Sequence, residues 1–202
     1  MAEGTKTKPQ ATKRGNQRRK SILEAFHECV IEKGYAKTSL QEIATRADLY
    51  PSHVLYYFEG KEAIFEQYFE NMAVRILKDL DSYRKETVER QIELLVKLYF
   101  SGRTIDHSEI GFMLESFGVA VNDPVLRREK SRVDRECKAY LTELFQQTPR
   151  GAITSAKDSA ELAYSLLIGL RTAVYFDDKL KLTKARKLFR DSMYLYCGLE
   201  KK

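Results

Sequence analysis

The stretch that decides the fold reads TSLQEIATRADLY over residues 38–50 and PSHVLYYFEGKE over residues 51–62. Its spacing predicts one short helix over Leu40–Arg46 and a second over Pro51–Tyr57, where proline suits the first helical position because its φ angle is fixed. A turn around Ala47-Asp48-Leu49 joins them. Two short helices joined in this way are typical of a helix-turn-helix, whose second helix can enter the major groove of DNA.

The same stretch contains the signals that start the first short helix and the apolar residues that would hold the motif together. Thr38 or Ser39 can serve as the N-cap, and Gln41 and Glu42 are placed for a capping box. We expect a set of apolar residues to lock the two helices together rather than to contact DNA. These residues are Ile43, Ala44, Ala47, Leu49, Val54 and Phe58.

Helical periodicity extends over the rest of the chain, and no segment shows the alternation of a β-strand. Ser155 and Thr183 stand at N-cap positions. We therefore predict an all-α chain of about nine helices. Their expected bounds are Gln17–Lys33, Leu40–Arg46, Pro51–Tyr57, Lys61–Asp81, Thr87–Phe100, Ser108–Val121, Pro124–Gln147, Ser155–Phe176 and Thr183–Tyr196.

The positive charge of the chain is concentrated at its N-terminus. The formal net charge is +6, and residues 1–20 alone hold seven basic side chains against one acidic side chain. The rest of the chain is therefore neutral overall, and residues 21–60 carry three bases against six acids. This distribution indicates a polyanion-binding protein whose basic character resides in a short arm.

Several classes of protein and site are disfavoured. Cys29, Cys137 and Cys197 are widely separated and form neither a disulfide framework nor a zinc-binding spacing, which favours a reducing cytosol. No secretory signal is legible, and no apolar segment is long enough to cross a bilayer. No Ser/His/Asp or Cys/His constellation is legible either. We expect a cytoplasmic protein without enzymatic activity, cofactor, metal ion or membrane association.

The stretches Thr38 to Leu49 and Val54 to Glu62 closely resemble the DNA-binding domain of the tetracycline-repressor (TetR) family. The Ile-Ala pair, the Tyr-Phe pair and the Lys-Glu start of the next helix stand at the family's spacing, and the resemblance covers about residues 17–69. It implies a basic flexible arm at 1–16, a helix-turn-helix DNA-binding domain at 17–60, and an effector-binding and dimerisation domain at 61–202.

The resemblance also implies which side chains would meet DNA. Outward residues of the second short helix would face the major groove, helix N-termini would bind phosphates, and the arm would follow the backbone or enter the minor groove. The major-groove set is Tyr50, Ser52, His53, Tyr56 and Tyr57. The phosphate set is Thr38, Ser39, Tyr56 and Lys61. The basic N-terminal segment contributes Arg14 from the arm and Arg18 and Arg19 just after it, whereas residues 1–12 can equally be a solvated leader.

The C-terminal half resembles the betaine-regulator type of this family over Glu115 to Arg127, Gly151 to Ile153 and Leu166 to Leu170. In the family this half binds a small effector and pairs two subunits. The last two expected helices are apolar around much of their circumference, which favours a four-helix contact between two copies, with Gly169 and Ala173 allowing close approach. Burial within one subunit is the alternative.

An interior set of aromatic, methionine and charged side chains is the expected effector pocket. Its candidate residues are Tyr99, Phe100, Met113, Glu115, Phe117, Tyr140, Tyr164 and Arg171. The aromatic residues can equally be plain core. Glu115 and Arg171 are each the only charge in an apolar run, so they can pair with each other, point to solvent or meet a charged effector.

These inferences favour a homodimeric transcriptional regulator, expected to be a repressor, that binds a near-palindromic double-stranded DNA operator and is released by a small-molecule effector. The alternative is an effector-independent DNA-binding adaptor whose C-terminal half serves only protein contacts. A closed core without a cavity would favour that alternative. A third class, a helical enzyme or lipid carrier, would need a polar catalytic cluster or a continuous apolar tunnel.

Overall fold

The computed structural model describes residues 13–100, 107–148 and 155–200 of the chain. Within these ranges it contains nine α-helices and no β-strand, which confirms the all-α fold expected from the sequence. The helices are α1 (Lys13–Lys33), α2 (Leu40–Arg46), α3 (Pro51–Tyr57), α4 (Lys61–Tyr83), α5 (Val88–Phe100), α6 (His107–Asn122), α7 (Pro124–Gln146), α8 (Ala156–Phe176) and α9 (Leu182–Cys197).

The helix bounds lie close to the expected ones, and α2 and α3 begin and end as predicted. Ser155 caps α8, since its hydroxyl accepts a 3.0 Å hydrogen bond from the Asp158 N–H. The prediction of Thr183 as an N-cap is wrong: Thr183 lies inside α9, and Lys181 occupies the cap position. Leu182 packs against the core, so the helix begins two residues earlier than an N-cap at Thr183 would place it.

Helix α1 begins earlier than expected. Residues 13–16, predicted to be part of the flexible arm, form its first turn. Residues 13–20 contain no proline, and five of them are arginine or lysine, which are good helix formers. The helix can therefore begin at Lys13. Residues 1–12, the rest of the predicted arm, lie outside the described residues.

The chain divides into two compact units between Tyr68 and Phe69. This division falls inside α4 rather than after Gly60, where the sequence indicated it. The cause is the start of α4, whose Phe65 ring lies 5.4 Å from the ring of Phe26 in α1 and is completely buried. The first turns of α4 therefore belong with α1, α2 and α3.

The first unit is organised by the apolar faces of its two shortest helices. Ile43 and Ala44 of α2 and Val54 of α3 have no exposed surface. Of the residues expected to lock the motif, Ile43, Ala44, Ala47, Val54 and Phe58 are buried and Leu49 is half-buried. The predicted helix-turn-helix core is thus confirmed.

Two residues with positive φ angles end the first two helices. Gly34 follows α1 with φ 83°, and its N–H donates to Val30 O at 2.8 Å. Asp48 follows α2 with φ 55°, a left-handed conformation that aspartate tolerates better than most side chains. The next N–H, of Leu49, donates to Ala44 O at 2.9 Å and closes the turn between α2 and α3.

The second unit is a helical bundle around a separate core. Helix α7 packs against α8, α9 packs against α5 and α8, and α6 lies against α7 and α8. The rings of Phe100 in α5 and Phe189 in α9 meet at 5.2 Å in its interior. No helix in the described ranges has the length and apolar character needed to span a bilayer.

A close approach between α6 and α8 depends on a glycine. A Cβ atom at Gly111 would lie 2.9 Å from Cε2 of Tyr175, closer than such atoms normally come. A Cβ atom at Gly118, in the same helix, would have no neighbour within 4 Å. Gly111 therefore sets how near these two helices can pack.

We predict that Gly111→Ala is less stable than Gly118→Ala by about 1–3 kcal/mol, the usual range for overpacking a core. Both variants gain the helix propensity of alanine, about 1 kcal/mol, so their difference isolates the contact with Tyr175. Urea-induced unfolding of the two proteins measures it. Equal stabilisation by both substitutions would show that the Tyr175 ring moves aside without cost.

Candidate functional site

The outward face of α3 carries a row of exposed polar and aromatic side chains. Tyr50 and Tyr56 are 73% and 74% exposed, and the His53 ring lies edge-on to Tyr50 at 5.7 Å. Ser52 and His53 are also exposed, whereas Val54 is completely buried on the other side of the helix. Four of the five residues expected to face the major groove therefore share one surface.

Leu55 also belongs to this surface, although it was not among the contacts expected from the sequence. It is 50% exposed and adjoins Tyr56 in α3. Helical spacing could have identified it, because a residue three positions after Ser52 lies on the same face. The row defined by Tyr50, Ser52, His53, Leu55 and Tyr56 is called the α3 surface below.

Tyr57 and Arg19 lie beside the α3 surface and contact each other. Tyr57 is half-buried, and its ring meets that of Tyr56 edge-on at 5.1 Å. The Arg19 guanidinium lies 5.8 Å from the Tyr57 ring centre and 5.0 Å from that of Phe58. Arg19 thus joins α1 to the end of α3 by cation–π contacts, a packing role that was not expected from the sequence.

The two residues expected to bind phosphate before α2 have different surroundings. Ser39 is the N-cap: its hydroxyl accepts from Glu42 N–H at 3.3 Å, and its own N–H donates to Glu42 Oε2 at 2.9 Å. The predicted capping box is therefore present, with Glu42 as its acid. Thr38 is only 3% exposed, and its hydroxyl donates to Gly34 O at 2.9 Å. Contrary to expectation, its side chain is not available at the surface.

Lys61, also expected to bind phosphate, is turned into the first unit. Its Nζ donates to the carbonyl oxygens of Tyr35 and Thr38, each at 3.0 Å, and lies 4.2 Å from the centre of the Tyr35 ring. The Tyr35 hydroxyl donates to Glu62 Oε1 at 3.3 Å. The start of α4 is thereby fastened to the connection between α1 and α2.

Ion pairs neutralise two of the three bases in residues 21–60. Lys33 pairs with Glu42, and Arg46 pairs with Glu32. The hydrogen bond from Lys33 is the main cause that lowers the pKa of Glu42 to about 2. The hydrogen bond to Glu32 raises the pKa of Arg46. Because these charges are paired, the net positive charge of this unit must come from elsewhere.

The start of α1 supplies that charge. Arg14 is exposed and Arg18 is half-buried, while Lys20 forms a pair with Glu24 at 3.5 Å. The first turn of α1 contains no acidic residue. Basic side chains at a helix N-terminus are electrostatically unfavourable there, which makes this end of α1 attractive to an anion.

In the second unit, three of the expected pocket residues come together around a small cavity of about 10 Å³. Tyr99, Tyr140 and Tyr164 line it, together with Cys137 and apolar side chains. A space of this size holds at most one water molecule. The described core is therefore nearly closed.

The hydroxyl groups of this tyrosine cluster have partners. Tyr140 donates to Gln91 Oε1 at 2.7 Å, Tyr164 donates to Asp134, and the Tyr99 hydroxyl lies 3.6 Å from Cys137 Sγ. Burial raises the pKa of all three tyrosines and raises that of Cys137 to about 11. All four groups are thus neutral near pH 7. Gln91 and Asp134 are polar members of the cluster that helical periodicity alone did not reveal.

The other expected pocket residues do not line this cavity. Phe100 packs in the core against Phe189, and Phe117 is half-buried under Lys130, whose Nζ lies 4.4 Å from the ring centre. Met113 is half-buried and Glu115 is exposed on α6. Among the described residues, no group of three or more His, Cys, Asp or Glu side chains could hold a metal ion.

Arg171 of α8 and Glu115 of α6 are each the only charge in an apolar run of the sequence, but their surroundings differ. Its Nε is enclosed and has no hydrogen-bond acceptor among the described residues, and its Nη1 donates to Tyr99 O at 3.4 Å. Burial lowers the pKa of Arg171, against the attraction of Tyr99, Glu109 and Tyr164. Of the two lone charges in apolar runs, Glu115 is exposed, whereas Arg171 is half-buried with its Nε enclosed.

Two family models match the chain. The model described as bacterial regulatory proteins, tetR family, matches residues 22–68. The model described as BetI-type transcriptional repressor, C-terminal, matches residues 88–194, which is more than half of the chain. Comparison with curated proteins gave no significant match.

Solved structures share the fold along nearly the whole chain. A transcriptional regulator from Rhodococcus sp. Rha1 aligns with a TM-score of 0.76 at 16% identity, covering 89% of this chain and 96% of that one. A protein from Saccharomonospora viridis in complex with choline gives 0.77 at 16%, covering 87% and 95%. The regulator FadR from Bacillus subtilis in complex with stearoyl-CoA gives 0.69 at 16%, covering 90% and 99%. At these identities the likeness shows the fold alone.

We predict that Lys61→Met lowers the free energy of unfolding by about 1–2 kcal/mol, because it removes two charge-assisted hydrogen bonds to backbone carbonyls. Lys37→Met is the matched control, since Lys37 is an exposed lysine in the connection between α1 and α2 that Lys61 contacts. Its substitution should leave stability unchanged within about 0.5 kcal/mol. Chemical unfolding measures both. A stable Lys61→Met variant would show that the ammonium does not hold this connection.

Proposed function

Because the chain belongs to the tetR family of bacterial regulatory proteins, we propose that it is a homodimeric, ligand-responsive transcriptional repressor. It acts by binding DNA and catalyses no reaction. The observation that carries the proposal is the division of α3 into a buried face, which holds Val54, and the exposed α3 surface. Two such helices, one from each subunit, would enter successive major grooves of a near-palindromic operator, about 34–36 Å apart.

The proposed DNA contacts follow from exposure and charge. The α3 surface and Ser39 would face bases and nearby phosphates, with the half-buried Tyr57 at the edge. Arg14 and Arg18 would bind the phosphate backbone from the start of α1. The side chains of Thr38 and Lys61 are left out of this set, because both are already used inside the unit.

Pairing of two subunits through α8 and α9 is supported by apolar side chains that one subunit leaves uncovered. Leu162, Gly169 and Phe176 are exposed along one stripe of α8, and Leu188 and Leu195 along one stripe of α9. Two helices from each copy would bury these stripes in a four-helix contact. The other apolar residues of these helices, such as Tyr164 and Phe189, are already covered within the subunit.

An effector bound in the second unit would weaken DNA binding by favouring one arrangement of the dimer over another. Helix α4 begins in the first unit and continues into the second, so a shift of this helix would change the spacing of the two α3 helices. The neighbours solved with choline and with stearoyl-CoA contain ligands of opposite charge. The fold alone therefore leaves the chemical class of the effector open.

The nearly closed core supports a second candidate function. A cavity of about 10 Å³ accommodates no organic ligand, so an effector could enter this part of the core only if the side chains that line the cavity moved apart. An effector-independent DNA-binding adaptor, with a second unit that serves only protein contacts, needs no such movement. Ligand binding measured as a rise in thermal stability separates the two functions.

We predict that the purified protein protects a short inverted repeat in its own promoter region, and that affinity for this site falls steeply with salt. The double variant Arg14→Gln/Arg18→Gln should reduce the slope of log K against log salt by about 0.9 for each phosphate that the variant no longer neutralises. Lys157→Gln, at the exposed start of α8, is the control for the removal of a positive charge.

DNase footprinting and binding titrations at several salt concentrations make this measurement. An unchanged slope in the double variant would contradict the proposed role of α1. Failure to protect any inverted repeat would contradict the proposed function itself.

We predict that Leu195→Glu shifts the dimer towards monomer by at least tenfold in its dissociation constant, because it places a charge in the proposed contact. Val74→Glu is the matched control: Val74 is 55% exposed and Leu195 is 60% exposed, so neither change empties the core of the subunit. Sedimentation velocity over a concentration series measures the shift. A dimer equally stable in both variants would exclude α9 from the interface.

A further inference from the structure

We infer that the effector carries a carboxylate or related oxyanion, which binds the half-buried guanidinium of Arg171 in the second unit. This inference rests on the proposed function, because it names the chemical class of ligand for the same core. It is carried by the position of Arg171, by its unused hydrogen-bonding capacity and by the charges around it.

Arg171 lies on the side of α8 that faces the tyrosine cluster. Tyr164 and Leu167 precede it by two turns and one turn on the same stripe, and both line the small cavity. Its Nη1 reaches the backbone oxygen of Tyr99, whose side chain also lines that cavity. A group bound at the guanidinium would therefore extend into the space between α5 and α8.

The guanidinium is poorly satisfied where it lies. It offers five N–H donors, and the hydrogen bond from Nη1 to Tyr99 O is long, at 3.4 Å. Its Nε is enclosed without an acceptor in the described part of the chain. An enclosed donor on a charged group is costly, and a planar oxyanion matches the geometry of its free edge.

Arg132 of the same protein has the opposite environment. Arg132 of α7 donates to Glu129 at 2.8 Å, and this contact raises its pKa. Around Arg171 the groups that oppose the effect of burial on its pKa are Tyr99, the carboxylate of Glu109 in the first turn of α6, and Tyr164. Burial outweighs their attraction and lowers the pKa of Arg171. The charge is retained because an arginine stays protonated in proteins.

The guanidinium does not itself line the small cavity, but Tyr99, which accepts its hydrogen bond, and Tyr164 and Leu167, on the same stripe of α8, do, so this cavity indicates the rest of the ligand. Apart from the tyrosines and Cys137, the cavity lining is apolar, and it includes Leu95, Leu167 and Phe189. This combination fits a monocarboxylate with an apolar ring or chain and disfavours a cation of similar size. Entry of such a ligand requires the lining side chains to separate, since the cavity measures about 10 Å³.

The test uses full-length protein and matched pairs of probes: benzoate with benzamide, octanoate with octanamide, and choline as a cation. We expect at least one acid to raise the thermal midpoint in a concentration-dependent way and to bind at least tenfold tighter than its amide. Choline should produce no shift. Calorimetric titration gives the dissociation constants.

Variants then assign the effect to the guanidinium. Arg171→Met should abolish the preference for acid over amide, while Arg171→Lys should keep part of it because a cation remains. Arg132→Met is the matched control and should bind the acid as the wild type does. Without ligand, Arg171→Met should be at least as stable as the wild type, because it removes a half-buried charge whose enclosed Nε has no acceptor among the described residues.

Three results would overturn the inference: no acid raises the thermal midpoint, acid and amide bind equally well, or Arg171→Met keeps the preference. Unfolding or loss of the dimer in both Arg171 variants would also overturn it, since Arg171 would then be structural. Operator binding is measured separately. If a neutral or cationic compound releases the operator, this inference is wrong but the proposed function stands. If the protein binds no operator, the proposed function is wrong.

Discussion

Helices of seven residues are too short to persist in water, and the first unit is built around this constraint. Helices α2 and α3 exist because Ile43, Ala44 and Val54 are completely buried and because the capping box satisfies the first N–H groups of α2. Lys61 adds a further tie by fastening the start of α4 to the preceding connection. The orientation of the α3 surface is therefore a property of the whole unit rather than of α3.

The parts of this unit that could be predicted from the sequence are those whose signals are local. Pro51 and the Ser39–Glu42 box mark helix starts within a few residues, and both helices begin where these signals place them. Thr38 and Lys61 could not be placed in this way, because their partners are backbone carbonyls of the connection that follows α1. A basic or hydroxyl side chain near a helix start looks the same in sequence whether it turns outwards to a phosphate or inwards to a carbonyl.

In the second unit, helical periodicity identified core-facing positions but could not say which neighbouring helix covers them. Tyr99 and Tyr164 were expected to share a pocket and do share a cavity, whereas Phe117 lies elsewhere, beneath Lys130. Glu115 and Arg171 look equivalent in the sequence, since each interrupts an apolar run. Only the packing of α8 against its neighbours distinguishes them, by enclosing Nε of the half-buried arginine and leaving the glutamate exposed.

The two faces of α3 differ in how freely they can change over evolutionary time. A change at Val54 or Phe58 leaves a cavity or a clash in the core of the first unit, because both side chains are buried. Changes at Tyr50, Ser52 or Tyr56 alter side chains that contribute little to stability, because they are exposed. A lineage can therefore exchange the α3 surface residue by residue while every intermediate still folds. The same freedom makes this row the natural place to diversify in a library of engineered variants.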